Sequence, residues 1–438
     1  MLNVILVMTP QGGIGLDNKL PWNCPEELSL FRRLTMGSVC VVSRKTGETL
    51  PKLDGRHVVY VSHNKEDDYT VEKVIENDRG CGDMFIIGGA QIYDTVLRNH
   101  KEKINTLFLS VMDCEYHYDT KIDLALFKGW CIKTEQIYDK FTHYTLSYSQ
   151  NVETKYLALL NETLMNGVEK QGRNGLTKSL FAKSIDFNLL DGFPLLTTKR
   201  MFLKGIVEEL LFFIRGETDT KLLEDKGVNI WKGNTTRQFL DSIGLTYLKE
   251  GLMGPLYGSQ FRNYGGIYNK ETGRTEGGVD QLQYVIDTIK NDPSSRRIML
   301  TSFNPSQVAV CALYPCHSNI LQFSVCGEYI DTYCFNRSSD LFLGLPFNIA
   351  STSILVMLIA ILTNKKARNI TIALGDCHIY DTHYTAVKEQ ISRLQYSLPV
   401  LNINNNPTSL KNIQDMDSSF FVLERYKYHP AIRVAMVA

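Results

Sequence analysis

Short apolar runs separated by turns and helical stretches dominate the first 150 residues of the chain. The runs lie at Val4–Met8, Val39–Val42, His57–Val61, Met84–Ile87, Thr106–Val111 and Tyr144–Ser149. Runs of this length that alternate with helical segments are typical of strands in an α/β domain. We therefore predict an α/β domain over residues 1–150.

The pattern changes near Glu153, where longer helical segments begin to mix with strands. Examples are the helices Lys155–Val168 and Lys204–Arg215 and the strands Ile320–Cys326 and Glu328–Cys334. A chain of 438 residues also exceeds the size at which one core usually stops growing. We therefore expect a second domain, of the α+β class, over residues 151–438.

Composition excludes several classes of protein. Lys+Arg and Asp+Glu are both 47, so no broad basic surface is available for nucleic acid or an anionic membrane. The ten cysteines lack metal-site or disulfide spacing, which favours a reducing cytoplasm and predicts no metal. The apolar stretch Ile349–Leu362 is short of the roughly 20 residues that span a bilayer, so we expect a buried helix and no membrane partner.

The first candidate site surrounds Glu27. Pro25 can open a helix that carries Glu27 and Phe31 on one face, and Trp22 lies just before it. A lone Glu at a helix start is usually solvated. Among aromatic neighbours, it can instead be a desolvated carboxyl whose raised pKa lets it help protonate a nitrogen heterocycle.

A second feature of this domain is a pair of glycines. Gly88 and Gly89 follow the apolar run Met84–Ile87 and precede a predicted helix over Gln91–Leu97. Such a pair is often only a turn, but close backbone approach at a helix N-terminus also holds pyrophosphate. The basic segment Arg44-Lys45-Thr46 after another strand can supply charge to a phosphate.

In order, spacing and residue type, residues 1–150 resemble the dihydrofolate reductase family. The resemblance implies a mixed, mainly parallel sheet, NADPH as cofactor and Glu27 as the acid at the substrate pteridine. It places these residues against the folate: Leu20, Trp22, Phe31, Arg56 and Ser110. It places these residues against NADPH: Gly15, Arg44, Lys45, Thr46, His63, Gly88 and Gly89.

The domain departs from that family at several positions. Ser43 stands where the family favours Gly, Gly47 where it usually has Trp, and Ala90 where a third Gly is frequent. The stretch between Ser62 and Asp83, on the adenine side of the cofactor site, is compressed.

The strongest local signal in the second domain is Pro315-Cys316-His317. A buried cysteine is usually only a small apolar residue. Here, Arg337 and Ser338 are predicted to follow a strand, and Arg296 and Arg297 to precede another, so guanidinium groups are available for a phosphate dianion. Adjacent arginines are expected to lower the thiol pKa toward neutrality and favour the nucleophilic thiolate.

A long motif spans residues 336–350, Asn-Arg-Ser-Ser-Asp-Leu-Phe-Leu-Gly-Leu-Pro-Phe-Asn-Ile-Ala, and resembles the signature of the thymidylate synthase family. Further matching segments are Asp191–Lys199, Glu208–Leu211, Asn229–Trp231, Gly254–Gly258 and Gly375–Tyr380. The resemblance covers nearly all of residues 153–438.

The resemblance implies that Cys316 adds to the pyrimidine ring of dUMP, which then takes the one-carbon unit of methylenetetrahydrofolate. Glu209 would organise the proton network, and Tyr257 and His317 would support proton removal from the ring. The dUMP-binding residues would be Arg173, Arg296, Arg297, Arg337, Ser338, Asn348, His378 and Tyr380. Trp231 and Asp340 would contact the folate, and residues 433–438 would close over the complex.

Within that set, Asn348 would select uracil, and His378 and Tyr380 would hold the deoxyribose hydroxyl. Arg296 and Arg297 would reach the phosphate from a second subunit, so the resemblance implies a homodimer through this domain. The loop after Arg173 is one residue shorter than is usual in the family.

The two resemblances fit one chemical cycle, because the synthase releases dihydrofolate and the reductase regenerates tetrahydrofolate. Three alternatives stay open. The reductase domain can be a degenerate, structural appendage, as Ser43 and Gly47 suggest. The chain can be a nucleic-acid-binding regulator, which its zero net charge disfavours. It can act on dCMP, against which Asn348 argues, since cytosine would favour an acid there.

Overall fold

Apolar runs in the first third of the chain become the strands of one sheet. The computed structural model describes residues 1–62, 69–77, 82–172 and 174–437. Up to residue 150 the strands are β1 (Leu2–Met8), β2 (Gly13–Gly15), β3 (Val39–Ser43), β4 (His57–Val61), β5 (Met84–Gly88), β6 (Thr106–Met112), β7 (Thr120–Lys121), β8 (Trp130–Ile137) and β9 (Phe141–Tyr148). The helices are α1 (Pro25–Thr35), α2 (Arg44–Gly47), α3 (Val71–Glu76) and α4 (Ala90–Asn99).

After residue 150, longer helices and strands follow. The strands are β10 (Val168–Gly172), β11 (Gly175–Asn188), β12 (Ile267–Tyr268), β13 (Thr275–Glu276), β14 (Met299–Thr301), β15 (Ile320–Cys326), β16 (Tyr329–Asp340), β17 (Lys366–Tyr380), β18 (Gln395–Tyr396), β19 (Val400–Ile403) and β20 (Phe421–Glu424). The helices are α5 (Val152–Asn166), α6 (Leu203–Arg215), α7 (Lys221–Glu224), α8 (Lys232–Thr235), α9 (Arg237–Ser242), α10 (Gly258–Asn263), α11 (Gln281–Asn291), α12 (Gly344–Leu362), α13 (Tyr384–Ser392) and α14 (Leu410–Gln414). Short 3₁₀ helices lie at Lys101–Lys103, Leu124–Phe127, Leu189–Asp191, Val308–Val310, Asp381–His383 and Ser418–Phe420.

The chain divides into two units. The first contains Met1–Gln150 and Leu394–Ser397, and the second contains Asn151–Arg393 and Leu398–Ala438. The short segment Leu394–Ser397, which carries β18, is therefore part of the first unit although it lies far along the sequence.

The first unit is built on an eight-stranded sheet with the order β18-β8-β9-β6-β1-β5-β3-β4. β1 runs parallel to β5 and β6, and β3 runs parallel to β4 and β5, whereas β9 is antiparallel to β6 and β8. The sheet is thus mixed and mainly parallel, as expected. Open sheets of this kind bind ligands beyond the carboxyl ends of their parallel strands.

The second unit is built on a six-stranded sheet with the order β10-β11-β17-β16-β15-β14. Helix α12 is apolar on every side and lies in its hydrophobic core. By length and composition alone, α12 is the one helix among the described residues that could cross a membrane, but 78% of its most apolar stretch is buried inside the protein. α12 is therefore a core helix, and the unit has the expected α+β architecture.

Several elements differ from the predictions. β16 extends to Asp340, so Arg337 and Ser338 lie within this strand and do not follow it. The Gly-rich segment Tyr264–Gly278, for which no strand was predicted, contains the short hairpin of β12 and β13. Register along the extended β16 aligns Ser338 with Asp376 and Asp340 with His378 on the neighbouring β17.

Two candidate active sites

A cavity of about 610 Å³ opens in the first unit. Its size lies within the range of small-molecule sites. Most of the predicted reductase residues line it, namely Gly15, Leu20, Trp22, Glu27, Phe31, Thr46, Arg56, Gly88 and Gly89. Elements distant in sequence therefore bring the predicted folate and cofactor residues to one cavity.

Glu27 is the acid in the wall of this cavity. Pro25 starts α1, which places Glu27 in the first turn, where only 4% of the residue is exposed. Burial raises the pKa of Glu27 to about 7, and a hydrogen bond with the Ser110 side chain acts in the opposite direction. The predicted direction of this pKa shift is confirmed.

Aromatic and cationic side chains lie around the acid. The Arg56 guanidinium carbon lies 5.8 Å from the centre of the Phe31 ring, and one of its terminal nitrogens donates to the Thr35 hydroxyl at 3.3 Å. Trp22 is buried against Tyr116, whereas Leu20 is 43% exposed. This arrangement places aromatic rings beside one buried acid and the Arg56 guanidinium.

The other end of the cavity is formed by the paired glycines. Gly88 ends β5 and Gly89 is the N-cap of α4. A β-carbon added to Gly89 would lie 2.6 Å from the Thr46 hydroxyl oxygen, so the Thr46 side chain can lie this close to the backbone of residue 89 only because this residue is Gly. Such a cradle at a helix N-terminus fits a pyrophosphate.

Three further predicted cofactor or folate residues do not line the cavity. Arg44 and Lys45 are exposed on α2. Ser110 lies behind Glu27, which it contacts. His63 lies outside the described residues.

Local contacts explain two of the departures from the reductase pattern. Ser43 is the N-cap of α2, and its side-chain oxygen accepts from the Thr46 backbone N–H at 3.2 Å. A β-carbon on Gly47 would lie 2.3 Å from the ring of Tyr60, so this ring fills the space that a larger residue 47 would need. Neither departure requires a degenerate site.

The second site surrounds Cys316. Its backbone N–H donates to the Tyr257 hydroxyl at 2.9 Å, and the same hydroxyl lies 3.4 Å from the Cys316 sulfur. The rings of Tyr257 and His317 stack with centres 4.5 Å apart. Ser338 donates its backbone N–H to the Cys316 carbonyl at 3.2 Å, which ties β16 to the loop that carries the thiol. Three predicted catalytic residues and a predicted phosphate ligand therefore share one cluster.

The expectation of a lowered thiol pKa at Cys316 is wrong. Burial raises the pKa of Cys316, and the nearby Tyr257 hydroxyl and Arg337 guanidinium only oppose that shift. Arg337 donates through Nε to the Pro315 carbonyl at 2.7 Å, so its charge lies beside the loop that holds the thiol. Burial likewise lowers the pKa of His317 to about 4.

Glu209 is the buried acid of this site. It lies on α6 with 7% of the residue exposed, and burial raises its pKa to about 7. The Trp231 indole N–H donates to Glu209 Oε1 at 2.7 Å and opposes the shift. A predicted catalytic residue and a predicted folate contact are thus directly bonded.

The remaining predicted residues of this site lie on neighbouring elements. His378 on β17 has Nδ1 3.0 Å from Asp376 Oδ1, and its ring lies 5.2 Å from that of Tyr380. Asp340 accepts from the backbone N–H groups of residues 342 and 343, directly before α12. Asn348 is half-buried near the start of α12.

Two predicted phosphate ligands do not contact this cluster, and a third is not described. Arg296 and Arg297 lie exposed before β14, and no hydrogen bond or ion pair of the described residues joins either to Cys316. Arg173 lies outside the described residues.

Lys199 is a candidate site residue that sequence reasoning did not assign. Its ammonium donates to the Phe342 carbonyl at 2.5 Å and lies 3.7 Å from the centre of the Phe342 ring. Burial lowers its pKa to about 7, against the attraction of Asp340 and Glu153. The feature of the sequence that could have indicated Lys199 is its position at the end of the segment Asp191–Lys199, which resembles the thymidylate synthase family.

Two family models match the chain, one over each part of it. A family model described as dihydrofolate reductase matches residues 1–152, and one described as thymidylate synthase matches residues 154–438. The chain belongs to the bifunctional dihydrofolate reductase-thymidylate synthase family.

Curated relatives of that family match over almost the whole chain. The bifunctional dihydrofolate reductase-thymidylate synthase of Paramecium tetraurelia is 36% identical, over 99% of this chain and 98% of its own. The Zea mays protein of the same description is 34% identical over 99% and 96%. The Leishmania major protein is 32% identical over 99% and 94%.

Proposed function

We propose that this chain forms dTMP from dUMP by reductive methylation with methylenetetrahydrofolate and reduces the resulting dihydrofolate with NADPH. The observation that carries the proposal is the presence, in one member of the bifunctional family, of both the Glu27 cavity and the Cys316 cluster. The residues around each site match the chemistry that its half-reaction needs.

In the synthase reaction, Cys316 supplies the nucleophile that adds to the pyrimidine ring. The Tyr257 hydroxyl and the Arg337 guanidinium favour the thiolate against the effect of burial. Addition turns the neighbouring ring carbon into an enolate carbon, which attacks the one-carbon unit of the folate. After loss of the ring proton, the folate departs from the methylene carbon and transfers a hydride to it, which yields the methyl group and dihydrofolate, and elimination releases the Cys316 thiolate. Glu209 organises the proton network, and Tyr257 with neutral His317 supports removal of the ring proton.

Binding residues orient the synthase substrates. Arg337, Ser338 and Arg173 bind the dUMP phosphate, and Asn348 selects uracil. His378, whose Nδ1 faces Asp376, holds the deoxyribose hydroxyl together with Tyr380. Trp231 and Asp340 contact the folate.

The synthase site is completed by a second copy of the chain. Arg296 and Arg297 are exposed and apart from Cys316 in one chain, which is the placement expected of residues that serve a partner. We therefore propose a homodimer through residues 151–438, in which these arginines reach the phosphate bound by the other subunit.

In the reductase reaction, Glu27 in its neutral form holds the pteridine and provides the proton for its ring nitrogen. Phe31, Trp22 and Leu20 cover the folate rings, and Arg56 pairs with the carboxylate of the tail. Residues Gly15, Arg44, Lys45, Thr46, Gly88 and Gly89, with His63, hold NADPH. When bound, NADPH supplies the hydride.

We assign residues 1–150 to the reductase domain and residues 151–438 to the synthase domain, with the segment Leu394–Ser397 adding a strand to the first sheet. We propose a cytoplasmic location. The nine cysteines that the structure describes are all free thiols, which suits a reducing compartment.

Two assays on the purified chain test this function. The first supplies dUMP and methylenetetrahydrofolate and measures dTMP and dihydrofolate by chromatography; equal amounts are expected. The second supplies dihydrofolate and NADPH and follows NADPH oxidation by absorbance. Lack of turnover in either assay, with folding verified by circular dichroism, would contradict the corresponding half of the proposal.

A further inference from the structure

A buried histidine lies next to the hydroxyl that contacts Glu27. Ser110 on β6 pairs with His143 on β9 in the antiparallel register, and the Ser110 oxygen lies 3.1 Å from His143 Nδ1. Ser110 is 2% exposed and His143 is 6% exposed. The Ser110 side chain is also the hydrogen-bond partner of the Glu27 carboxyl. Glu27, Ser110 and His143 therefore form one row of buried polar groups.

The Ser110 hydroxyl can adopt either of two hydrogen-bonding arrangements within this row. Ser110 has one O–H proton and cannot donate it to His143 and Glu27 together. If the Ser110 hydroxyl donates its hydrogen bond to His143, the Ser110 oxygen can accept a hydrogen bond from the protonated Glu27 carboxyl. If the Ser110 hydroxyl donates to ionised Glu27, His143 must present an N–H at Nδ1 or lose its hydrogen bond to Ser110.

We propose that His143 is a positioning residue of the reductase reaction. It accepts a hydrogen bond from the Ser110 hydroxyl and thereby favours the neutral, proton-donating form of Glu27. This inference rests on the proposed reductase function. His143 does not touch the cavity, so it acts only through Ser110.

The surroundings of His143 suit an acceptor. Burial lowers the pKa of His143 to about 4, and the Arg33 charge acts in the same direction, so the ring is neutral near pH 7. The ring stacks on Phe108 with centres 6.1 Å apart and planes 14° apart, which holds Nδ1 toward Ser110. A neutral imidazole has one nitrogen that accepts.

Other titratable groups near the row are accounted for. Tyr93 on α4 interacts electrostatically with Glu27, but its hydroxyl donates to the Ile5 carbonyl at 2.7 Å. Among the described residues, the other charged groups are Arg33 on α1, whose charge acts on His143, and the cavity-lining Lys19, Arg32, Lys52 and Arg56. Substitution of His143 leaves all of these in place, so a change in the titration of Glu27 reports on the row.

The test is the pH dependence of kcat/KM for dihydrofolate with NADPH, measured on the full chain. Activity should fall as pH rises through the pKa of Glu27. In His143→Phe, which keeps the ring and removes the acceptor, the fall should move to lower pH by about 0.5–1 unit. Well above that pH, turnover should drop about three- to tenfold. His143→Asn should restore the profile, because its side-chain oxygen can replace Nδ1 as acceptor.

Two controls separate this role from a structural one. Tyr144→Phe alters the next position of β9, whose polar neighbours include Glu135 and Tyr396, and should not move the profile. In a Ser110→Ala background, His143→Phe should add no further shift. Synthase activity of each variant verifies an intact chain, and His143→Leu replaces His143→Phe if that protein does not fold.

An unchanged profile in His143→Phe, a shift to higher pH, or an equal shift in the Ser110→Ala background would overturn the role of His143. Failure of the proposed function is distinguishable, because the wild-type chain would then show no NADPH-dependent reduction of dihydrofolate at any pH.

Discussion

Each unit carries one buried glutamate in its candidate site, and burial raises the pKa of both Glu27 and Glu209 to about 7. Their surroundings differ. Glu27 lines a cavity and has the small Ser110 hydroxyl as its polar partner. Glu209 is fixed by the Trp231 indole at 2.7 Å and belongs to a site that also holds a half-buried thiol.

The comparison shows that a glutamate whose pKa is raised by burial can serve two different kinds of chemistry. An acid on a cavity wall can reach a bound heterocycle and deliver a proton itself. An acid fixed beside a nucleophile controls protons around a covalent step that another residue performs. A substitution in one site should therefore impair the activity of that site and leave the other activity unchanged.

The largest expected effect is that of Cys316→Ala. Since the covalent step has no substitute nucleophile, dTMP formation should fall by at least about a thousandfold. NADPH-dependent reduction of dihydrofolate should stay within about twofold of wild type. Both activities are measured on the same preparation. Substantial dTMP formation by the variant would contradict the role of Cys316.

Glu27→Gln should impair the reductase activity and leave the synthase activity intact. The amide keeps the shape of the side chain but has no proton to titrate, so dihydrofolate reduction should fall about 10²- to 10⁴-fold near neutral pH. In the wild type, the neutral acid predominates below its pKa of about 7, so activity should be high below and lost above that pH. A steady-state pH series measures both effects, with synthase activity as the control. A variant with the wild-type pH profile would exclude Glu27.

Subunit complementation tests the placement of Arg297, which is exposed and apart from Cys316 in a single chain. Cys316→Ala and Arg297→Ala homodimers should each have little synthase activity. After mixing with subunit exchange, half of the dimers are hybrids, and each hybrid has one complete site. Activity should rise toward about a quarter of wild type. No gain, with exchange verified by differential labelling, would place Arg297 in its own chain's site or away from the phosphate.

The smallest expected effect concerns stability of the reductase domain. Gly47→Trp should force the Tyr60 ring aside, because a β-carbon at this position would lie 2.3 Å from that ring. The expected loss of unfolding free energy is about 1 kcal/mol or less, because Tyr60 is 49% exposed and its ring can move toward solvent. Gly47→Trp combined with Tyr60→Val should recover most of it. Chemical denaturation monitored through the reductase activity measures both, and equal destabilisation of the single and double variants would show that Tyr60 is not the obstacle.

Patterns within single elements could be predicted from the sequence. His57–Val61 and Ile320–Cys326 are strands with the predicted bounds, and α12 contains the predicted buried helix. Strands with many polar residues were missed, such as β8, whose last five residues are exposed. β18 has only two residues, too few for any periodicity, and its pairing with β8 depends on tertiary structure.

The identities of the candidate site residues followed from motifs, but their electrostatics did not. Arginines near Cys316 in sequence suggested a lowered thiol pKa, whereas burial dominates and raises it. Sequence gives no measure of burial, so the larger of two opposing effects could not be identified. The row from Glu27 through Ser110 to His143 was missed for a related reason, since it depends on the register of β6 and β9.

The most direct test of the account is the stoichiometry of the coupled reaction. The purified chain is given dUMP, methylenetetrahydrofolate and NADPH, and dTMP formed is compared with NADPH oxidised and dihydrofolate remaining. We expect one NADPH oxidised per dTMP, with no accumulation of dihydrofolate, and full accumulation in Glu27→Gln. Formation of dTMP by the wild type with dihydrofolate accumulating and NADPH unchanged would contradict the claim that one chain carries both activities.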